Sequence, residues 1–405
     1  MPIEPSPFKC WALLGLVSLI FCVSTGGAFS SLGVLLPAMI DELGWSWAQA
    51  GFGFTILALL TGLSSTFPAT TIKWFGLRIT YLSGGLTLAG GFYTFSQAQS
   101  LTQYLIGAAL VGLGYSQAGA VPAVKVLSSW FSKRRSLSIG IFFTSGALGS
   151  VIGPIVASYA LTGLGSWRTY WIGVAVLCGI LAIILPIFVT EKPGAEQMDV
   201  SEVDLSATNE DSWAFKEALR TPQYHIIILS VTITLLGALT MNTWQVTHMQ
   251  NLGVAATVSA TALSLHAVFN ASSRIVGGFV IDKVGAKLLF TIGLAATVVG
   301  MAALSVANNN LLILIFAIGD GVGFGIVTFA SSILLLEYFG AKNNPMILGF
   351  LNLITTAAMV GPVLAGYVAD HVGGFFEVFA TITALMLAVF LLFLTMSKPQ
   401  RKMPA

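Results

Sequence analysis

Long apolar segments alternate with short polar ones along the whole chain, and this alternation restricts the chain to a helical membrane fold. A helix needs about 20 apolar residues to cross about 30 Å of hydrocarbon. Twelve segments meet that length, at residues 11–38, 47–67, 79–97, 101–131, 136–163, 169–190, 223–250, 256–281, 286–306, 310–338, 345–369 and 375–397. We therefore expect an all-α membrane protein with twelve transmembrane helices in two six-helix bundles.

Composition supports lipid as the main solvent. Only 8% of the residues are charged, whereas a soluble domain carries about 25%. The 43 glycines fit this environment because small residues let membrane helices approach closely. The three cysteines form no CxxC pair and indicate neither a disulfide framework nor a metal site.

The polar stretch 191–222 divides the chain into two apolar parts. It carries seven acidic residues between Glu191 and Asp211 and is typical of a solvated linker. We expect an N-terminal bundle at 1–190, a cytoplasmic linker at 191–222 with a short helix near Trp213–Leu219, and a C-terminal bundle at 223–405.

The distribution of lysine and arginine predicts the orientation. With the N-terminus in the cytoplasm, fifteen basic residues fall in inside segments and Arg168 alone falls outside. Cytoplasmic loops carry such an excess. Both termini are therefore expected in the cytoplasm, and the protein in the cell membrane, a bacterial inner membrane.

The two parts repeat one another. Gly153-Pro154 and the five residues up to Tyr159 recur as Gly361-Pro362 and the residues up to Tyr367, offset by 208 residues. Trp130-Phe131 recurs as Tyr338-Phe339 with the same offset. Each half therefore has the design of one ancestral six-helix unit, an arrangement in which two halves enclose a binding site near the middle of the membrane.

One loop, which contains glycine, acidic and basic residues in a fixed order, resembles a motif of a known family. In the second half it reads Gly278-Phe-Val-Ile-Asp282-Lys283-Val-Gly285-Ala-Lys287, and in the first half it is degraded, with Ala69 and Lys73 in place of the Gly and Asp. With two halves of six spans and a central linker, the chain resembles the major facilitator superfamily.

Three further stretches resemble the monocarboxylate porters and oxalate/formate-type exchangers within that superfamily. They are Phe29–Pro37 with Glu42-Leu-Gly-Trp45, Trp130–Gly149, and His248 followed by Asn270–Gly278. The chain departs from the animal members in two ways. It lacks their Asp-Gly-x-x-x-Trp motif, and Asn270 stands where their eighth helix has Asp.

Arg274 is the most informative residue, because an ionisable group inside a span costs several kcal/mol unless it meets a polar cavity or a partner. Its guanidinium can bind a carboxylate through two hydrogen bonds. Asn270 and His266 precede it by four and eight residues and share its helical face. We expect Arg274 and Asn270 to bind an anion; alternatively, Arg274 snorkels to the cytoplasm or forms a structural pair.

Other polar residues in the spans are candidates for proton coupling or gating. Asp320, in the tenth span, could accept a proton, and His266 is a separate candidate. His248, near the outer face, could gate or take up a proton, since imidazole titrates close to neutral pH. Lys125 could gate or contact substrate, or its long stem could snorkel. The open alternatives are a fixed salt bridge at Asp320, a position of Asp320 near the outer mouth, and an uninvolved His248.

Tyr115 and Asn242 are expected substrate contacts. They stand in the fourth and seventh spans, and the resemblance implies that these helices line the transport cavity.

These features predict a secondary active transporter of a small organic anion, namely a lactate- or pyruvate-like monocarboxylate, working by proton symport or anion exchange with alternating access. An exporter of a drug-like solute and a non-transporting membrane sensor are the alternatives. The expected partners are the anion, protons or a counter-anion, and the lipid bilayer. No P-loop, HExxH or GxSxG motif occurs, so we expect no enzyme activity, cofactor, metal or nucleic-acid partner.

Overall fold

A computed structural model describes residues 7–131, 134–189, 213–340 and 343–399. Within these ranges all regular secondary structure is helical. Most of the expected linker, residues 191–212, lies outside the described residues.

The first half contains eight α-helices in sequence order, with one π-helical and one 3₁₀ segment. They are α1 (Pro7–Thr25), a π segment (Gly26–Ser31), α2 (Leu32–Leu43), α3 (Trp47–Leu63), a 3₁₀ turn (Ser64–Thr66), α4 (Phe67–Ser96), α5 (Leu101–Ala118), α6 (Ala120–Trp130), α7 (Arg135–Gly163) and α8 (Trp167–Phe188).

The second half follows the same plan after a four-residue helix. Its elements are α9 (Phe215–Ala218), α10 (Pro222–Asn251), α11 (Ala256–Val284), α12 (Ala286–Ser305), α13 (Asn310–Phe339), α14 (Asn344–Thr355), a 3₁₀ segment (Thr356–Val360), α15 (Gly361–Val372) and α16 (Phe376–Leu394). The short helix expected near Trp213–Leu219 corresponds to α9.

Ten helical segments of the described residues are long and apolar enough to cross a membrane. The segment Trp47–Ser96 is 50 residues long and accounts for two spans, because Gly76 breaks α4 with φ 79° and ψ 171°. The remaining span is α11, whose 29 residues extend about 44 Å but carry several polar side chains. The structure thus agrees with the expected twelve spans.

The internal repeat is visible in matching helix caps. Arg78 Nε donates to the Val189 carbonyl at the end of α8, at 2.6 Å. In the second half, Lys287 Nζ donates to the Met396 carbonyl after the end of α16, at 2.5 Å. The C-terminal carbonyls of a helix carry partial negative charge and favour a cation. Both halves therefore fix their last helix through the basic residue of the loop that resembles the superfamily motif.

The described chain forms two compact units that do not coincide with the two sequence halves. The first comprises Met1–Glu196, Asn242–Ser264 and Pro362–Gly373, and the second comprises Gln197–Met241, Leu265–Gly361 and Gly374–Ala405. The helices α10, α11 and α15 each contribute residues to both units. The division into bundles at 1–190 and 223–405 stays a prediction.

In the first unit, the segments from the second half pack tightly on α2 and α3. A Cβ at Gly33 would lie 2.1 Å from the Asn242 carbonyl oxygen, and one at Gly51 would lie 2.4 Å from that of Pro362. Trp244 Nε1 donates to the same Pro362 carbonyl at 2.8 Å. Glycine is required at these two positions because any side chain would force the backbones apart.

Asp370 joins α15 to the first turn of α3. Its two carboxylate oxygens accept hydrogen bonds from the backbone N–H groups of Trp47 and Ala48, each at 2.9 Å. The first N–H groups of a helix have no partner within the helix, and the helix dipole favours an anion there. The carboxylate thus caps a helix that is more than three hundred residues away in sequence.

The repeat-related caps yield a first prediction. Arg78→Ala and Lys287→Ala should each destabilise the protein by about 1 kcal/mol, because each removes the cation that is hydrogen-bonded to the C-terminal end of the last helix of its half. Thermal unfolding in detergent measures this effect. Lys73→Ala and Lys283→Ala, which remove exposed lysines nearby, serve as controls, and an equal loss in the controls would argue against specific capping.

The Asp370 cap yields a second prediction. In Asp370→Ala the Trp47 and Ala48 amides lose their carboxylate acceptor, so they should exchange hydrogen about fivefold faster, given a cap strength of about 1 kcal/mol. Hydrogen–deuterium exchange of a peptide covering 45–50 tests it, with Asp41→Ala as the control for loss of an exposed acid. An unchanged hydrogen exchange rate in this peptide would show that Asp370 does not protect the Trp47 and Ala48 amides.

Candidate functional site

In the second unit, glycines let α13 lie directly against the polar face of α11. A Cβ at Gly321 would be 2.7 Å from the His266 carbonyl oxygen. At Gly325 it would be 2.1 Å from Ser273 Oγ and 2.5 Å from the Asn270 carbonyl oxygen. This spacing of small residues four apart is typical of membrane helices whose backbones touch.

The opposite face of α13 packs on α12 in the same way. A Cβ at Gly323 would lie 2.5 Å from the Thr297 backbone nitrogen, and one at Gly300 would lie 2.1 Å from that of Asp320. The helix α13 is therefore held between α11 and α12, which fixes the position of Asp320.

Arg274 presents its charge at the protein surface within α11. Its Nε donates to Asn270 Oδ1 at 3.1 Å, and its side chain is exposed. Among the described residues it forms no ion pair. Because Nε is occupied by Asn270, the two terminal Nη groups are left to bind a ligand, and that pair of donors matches the two oxygens of a carboxylate.

His266 and Asp320 form a buried pair one turn from Asn270. His266 Nε2 and Asp320 Oδ2 are 3.0 Å apart, and the residues are only 4% and 1% exposed. The imidazole also stacks on the Phe316 ring, with 5.8 Å between centroids and an interplanar angle of 8°. The imidazole and the carboxylate thus satisfy one another by a hydrogen bond inside the protein, as buried polar groups require.

The stripe expected on α11 therefore divides into two parts. His266 turns into the interface with α13 and is sealed there, whereas Arg274 is accessible and bonded within its own helix. Asn270 is half-buried between them.

Tyr115 lies in the first unit, against the π-helical segment. Its hydroxyl is 3.2 Å from Thr25 Oγ1, and its ring packs edge-on to Phe29 at 5.1 Å between centroids. Insertions of this kind into helices occur frequently at functional sites. The widened turn presents Thr25 and Phe29 to Tyr115, which makes this a candidate contact surface for a solute.

The remaining candidates occupy different environments. Asn242 is half-buried, and its backbone carbonyl faces Gly33. His248 is 2% exposed, thus within the packed first unit. Lys125 is exposed on α6. Tyr115, Asn242, His248 and Lys125 belong to the first unit, whereas the His266–Asp320 and Asn270–Arg274 pairs belong to the second.

The sequence pattern does not indicate several of the structural partners. Thr25 and Asp370 are two of them, and both take part in the contacts described above. Glu42, quoted only as part of a motif, accepts a hydrogen bond from Trp167 Nε1 at 2.7 Å and forms an ion pair with Arg168. The sequence contains a signal for this pair, because Arg168 is the single basic residue expected in a loop on the outer side of the membrane.

The helical spans, the repeated halves and an accessible arginine within a span define a multi-span membrane protein of the carrier type. Comparison with known proteins identifies the family to which the chain belongs. A family model of the Major Facilitator Superfamily matches residues 17–249 and 226–405. The chain belongs to this superfamily, as its sequence resemblance indicated.

Its curated relatives include bacterial and animal transporters. It is 26% identical to the "Uncharacterized MFS-type transporter YhjX" of Escherichia coli, covering 84% of this chain and 83% of the relative. It is 28% identical to the oxalate:formate antiporter of Oxalobacter formigenes, over 68% of this chain and 64% of the antiporter. It is 25% identical to monocarboxylate transporter 13 of Rattus norvegicus, over 89% and 83%.

Solved structures share the fold. A nucleoside transporter NupG mutant superimposes with a TM-score of 0.77 at 14% identity, covering 95% of this chain and 99% of that one. A bacterial homologue of the human lysosomal transporter Spinster gives 0.76 at 14% identity, covering 96% and 97%. At this identity the likeness concerns the fold alone.

The close approach of α11 and α13 yields a third prediction. Gly325→Ala places a Cβ against Ser273 and Asn270 and should destabilise the protein by about 1–3 kcal/mol, as overpacking does. Thermal unfolding and solute uptake should both decline. Gly349→Ala is the matched control, because a Cβ there meets no atom within 4 Å; equal behaviour of the two variants would contradict the packing argument.

Proposed function

We propose that this superfamily member is a secondary active transporter of a small organic anion, a monocarboxylate of the lactate or pyruvate class, in the bacterial inner membrane with both termini in the cytoplasm. The observation that carries the proposal is Arg274. Its guanidinium is accessible within a membrane helix and, among the described residues, has no carboxylate partner.

A permanent cation at this place is costly unless an anion or water meets it. Its partner Asn270 is neutral, so the hydrogen bond orients the guanidinium without cancelling its charge. The charge therefore remains available for a carboxylate, which would bind through the two Nη groups. Lysine in the same place could offer only a point charge.

The names of the relatives support an anionic substrate. Oxalate:formate antiporter and monocarboxylate transporters 13 and 4 are named for carboxylates. Tyr115 and Asn242 stay proposed contacts of the solute. Transport would be driven by a proton gradient or by exchange with a second anion, with alternating access of the site.

The substrate class is tested by uptake into proteoliposomes. A panel of labelled lactate, pyruvate, formate and oxalate is compared with neutral analogues such as lactamide, with and without an imposed pH gradient. We expect uptake of at least one monocarboxylate above that of protein-free liposomes. Movement of neutral solutes with no carboxylate moving would refute the proposal.

Arg274→Lys is the fourth prediction. It keeps the charge and removes the planar pair of donors, so carboxylate uptake should decline about thirtyfold or more, while expression and thermal unfolding stay close to those of the wild type. Arg220→Lys, a conservative change at an exposed arginine before α10, is the matched control. Normal uptake in Arg274→Lys would exclude bidentate binding by this residue.

A further inference from the structure

We propose that the buried pair of His266 and Asp320 is the proton-carrying site of the transporter, so that one proton moves with each monocarboxylate. This inference rests on the proposed function and identifies the coupled ion. It selects one site among the proton candidates, which also included His248.

The first support is the sealed position of the pair. Both side chains are almost completely buried, and they meet at 3.0 Å between Nε2 and Oδ2. Phe316 stacks on one face of the imidazole, and Gly300 of α12 packs against the Asp320 backbone. A carried proton must be shielded from one side of the membrane while it is delivered to the other, and in this conformation burial keeps both side chains out of contact with solvent.

The second support is the electrostatic isolation of the pair on the helices packed against it. On α11 the nearest charged residue is Arg274, eight residues or about 12 Å along the helix. The other charges on α11 are Asp282 and Lys283 near its end. On α12 the charged residue is Lys287 in its first turn, and on α13 it is Glu337 in its last turn. No other fixed charge on these three helices is close enough to compensate the carboxylate.

The proton balance of the pair is simple. With a neutral imidazole and an ionised carboxylate the pair carries one negative charge. Binding one proton, either on the imidazole or on the carboxylate, makes its net charge zero. The hydrogen bond between Nε2 and Oδ2 persists in both states, because one of the two atoms retains a hydrogen to donate in each of them. No bond other than that to the proton is formed or broken.

The third support is a physical connection to Arg274. The helix α13 carries Asp320 and touches α11 twice: Gly321 lies against His266, and Gly325 lies against Asn270. Asn270 in turn accepts the Arg274 Nε–H. A shift of α13 on gain or loss of the proton would therefore be felt by the residue that orients the guanidinium. The carboxylate and the proton then move together as a neutral pair.

Asp320→Asn is the decisive variant. Two measurements are made in proteoliposomes, namely accumulation of a labelled monocarboxylate under a gradient of one pH unit, and exchange of labelled for unlabelled solute without a gradient. One proton per monoanion predicts roughly tenfold accumulation in the wild type. We expect Asp320→Asn to lose this accumulation and to retain exchange within about twofold.

Matched controls separate the pair from other acids and histidines. Glu337→Gln removes an exposed acid of the same helix, and His371→Gln removes an exposed histidine. Both should retain accumulation. Protein-free liposomes are subtracted, because protonated weak acids cross lipid unaided. Because the transported pair is neutral, a potassium diffusion potential should leave uptake unchanged.

The outcomes distinguish the two proposals. If the wild type neither accumulates nor exchanges any carboxylate, the proposed function fails. If the wild type exchanges carboxylate and Asp320→Asn still accumulates it like the wild type, the proton-site inference fails and the function stands. Accumulation in the wild type that depends on the potential would also overturn the one-proton balance.

Proton uptake by the purified protein provides a second readout if Asp320→Asn does not fold. Addition of lactate or pyruvate to the wild type in weakly buffered detergent, with a pH-sensitive dye, should produce proton uptake. His266→Gln, which keeps a donor to Asp320, should reduce this uptake or move it to a different pH. Identical uptake curves for His266→Gln and wild type would show that the pair is a structural contact.

Discussion

Hydrocarbon offers no hydrogen-bond partners, so every polar group in a span must find one within the protein or in a ligand. The polar face of α11 meets this demand in two ways. His266 finds a partner on a neighbouring helix, in Asp320. Arg274 finds one on its own helix, in Asn270, and that partner is neutral. The first pair is satisfied internally, and the second leaves a charge that an external anion can satisfy.

Close helix packing makes this division possible. Glycines at 321 and 325 bring α13 into backbone contact with α11, so that Asp320 can reach His266 across the interface. Glycines also allow close backbone contacts in the first unit, where Gly33 lies against the carbonyl of Asn242 and Gly51 lies against that of Pro362. Small residues thus replace the hydrophobic driving force that lipid does not supply.

A carrier that couples two solutes needs two sites that sense one another but differ in access. The exposed guanidinium of Arg274 could be reached by a solute of several atoms. The buried His266–Asp320 pair could be reached only by something as small as a proton. Asn270 lies between them and contacts both α13 and Arg274. In the proposed mechanism, coupling would follow from contacts along two adjacent helices, because α13 carries Asp320 and also contacts Asn270.

Much of the architecture follows from the sequence because span length and charge distribution are local properties. The order of the twelve spans, the helical break between the second and third of them, and the repeat all follow from patterns of tens of residues. Arg274 was found as a candidate because a charge in an apolar segment is visible without any tertiary information. Its hydrogen bond to Asn270 could also be predicted from the sequence, since the two residues stand one turn apart on one helix.

The tertiary structure decided everything that depends on residues far apart in the chain. His266 was placed with Arg274 by helical periodicity, yet its side chain pairs with Asp320, 54 residues away. Asp370 caps a helix across a separation of 323 residues, and Thr25 meets Tyr115 across 90. Periodicity specifies which face of a helix is polar, but it does not specify the helix that packs there. That choice rests on the fit of backbones at glycines, which only the folded chain reveals.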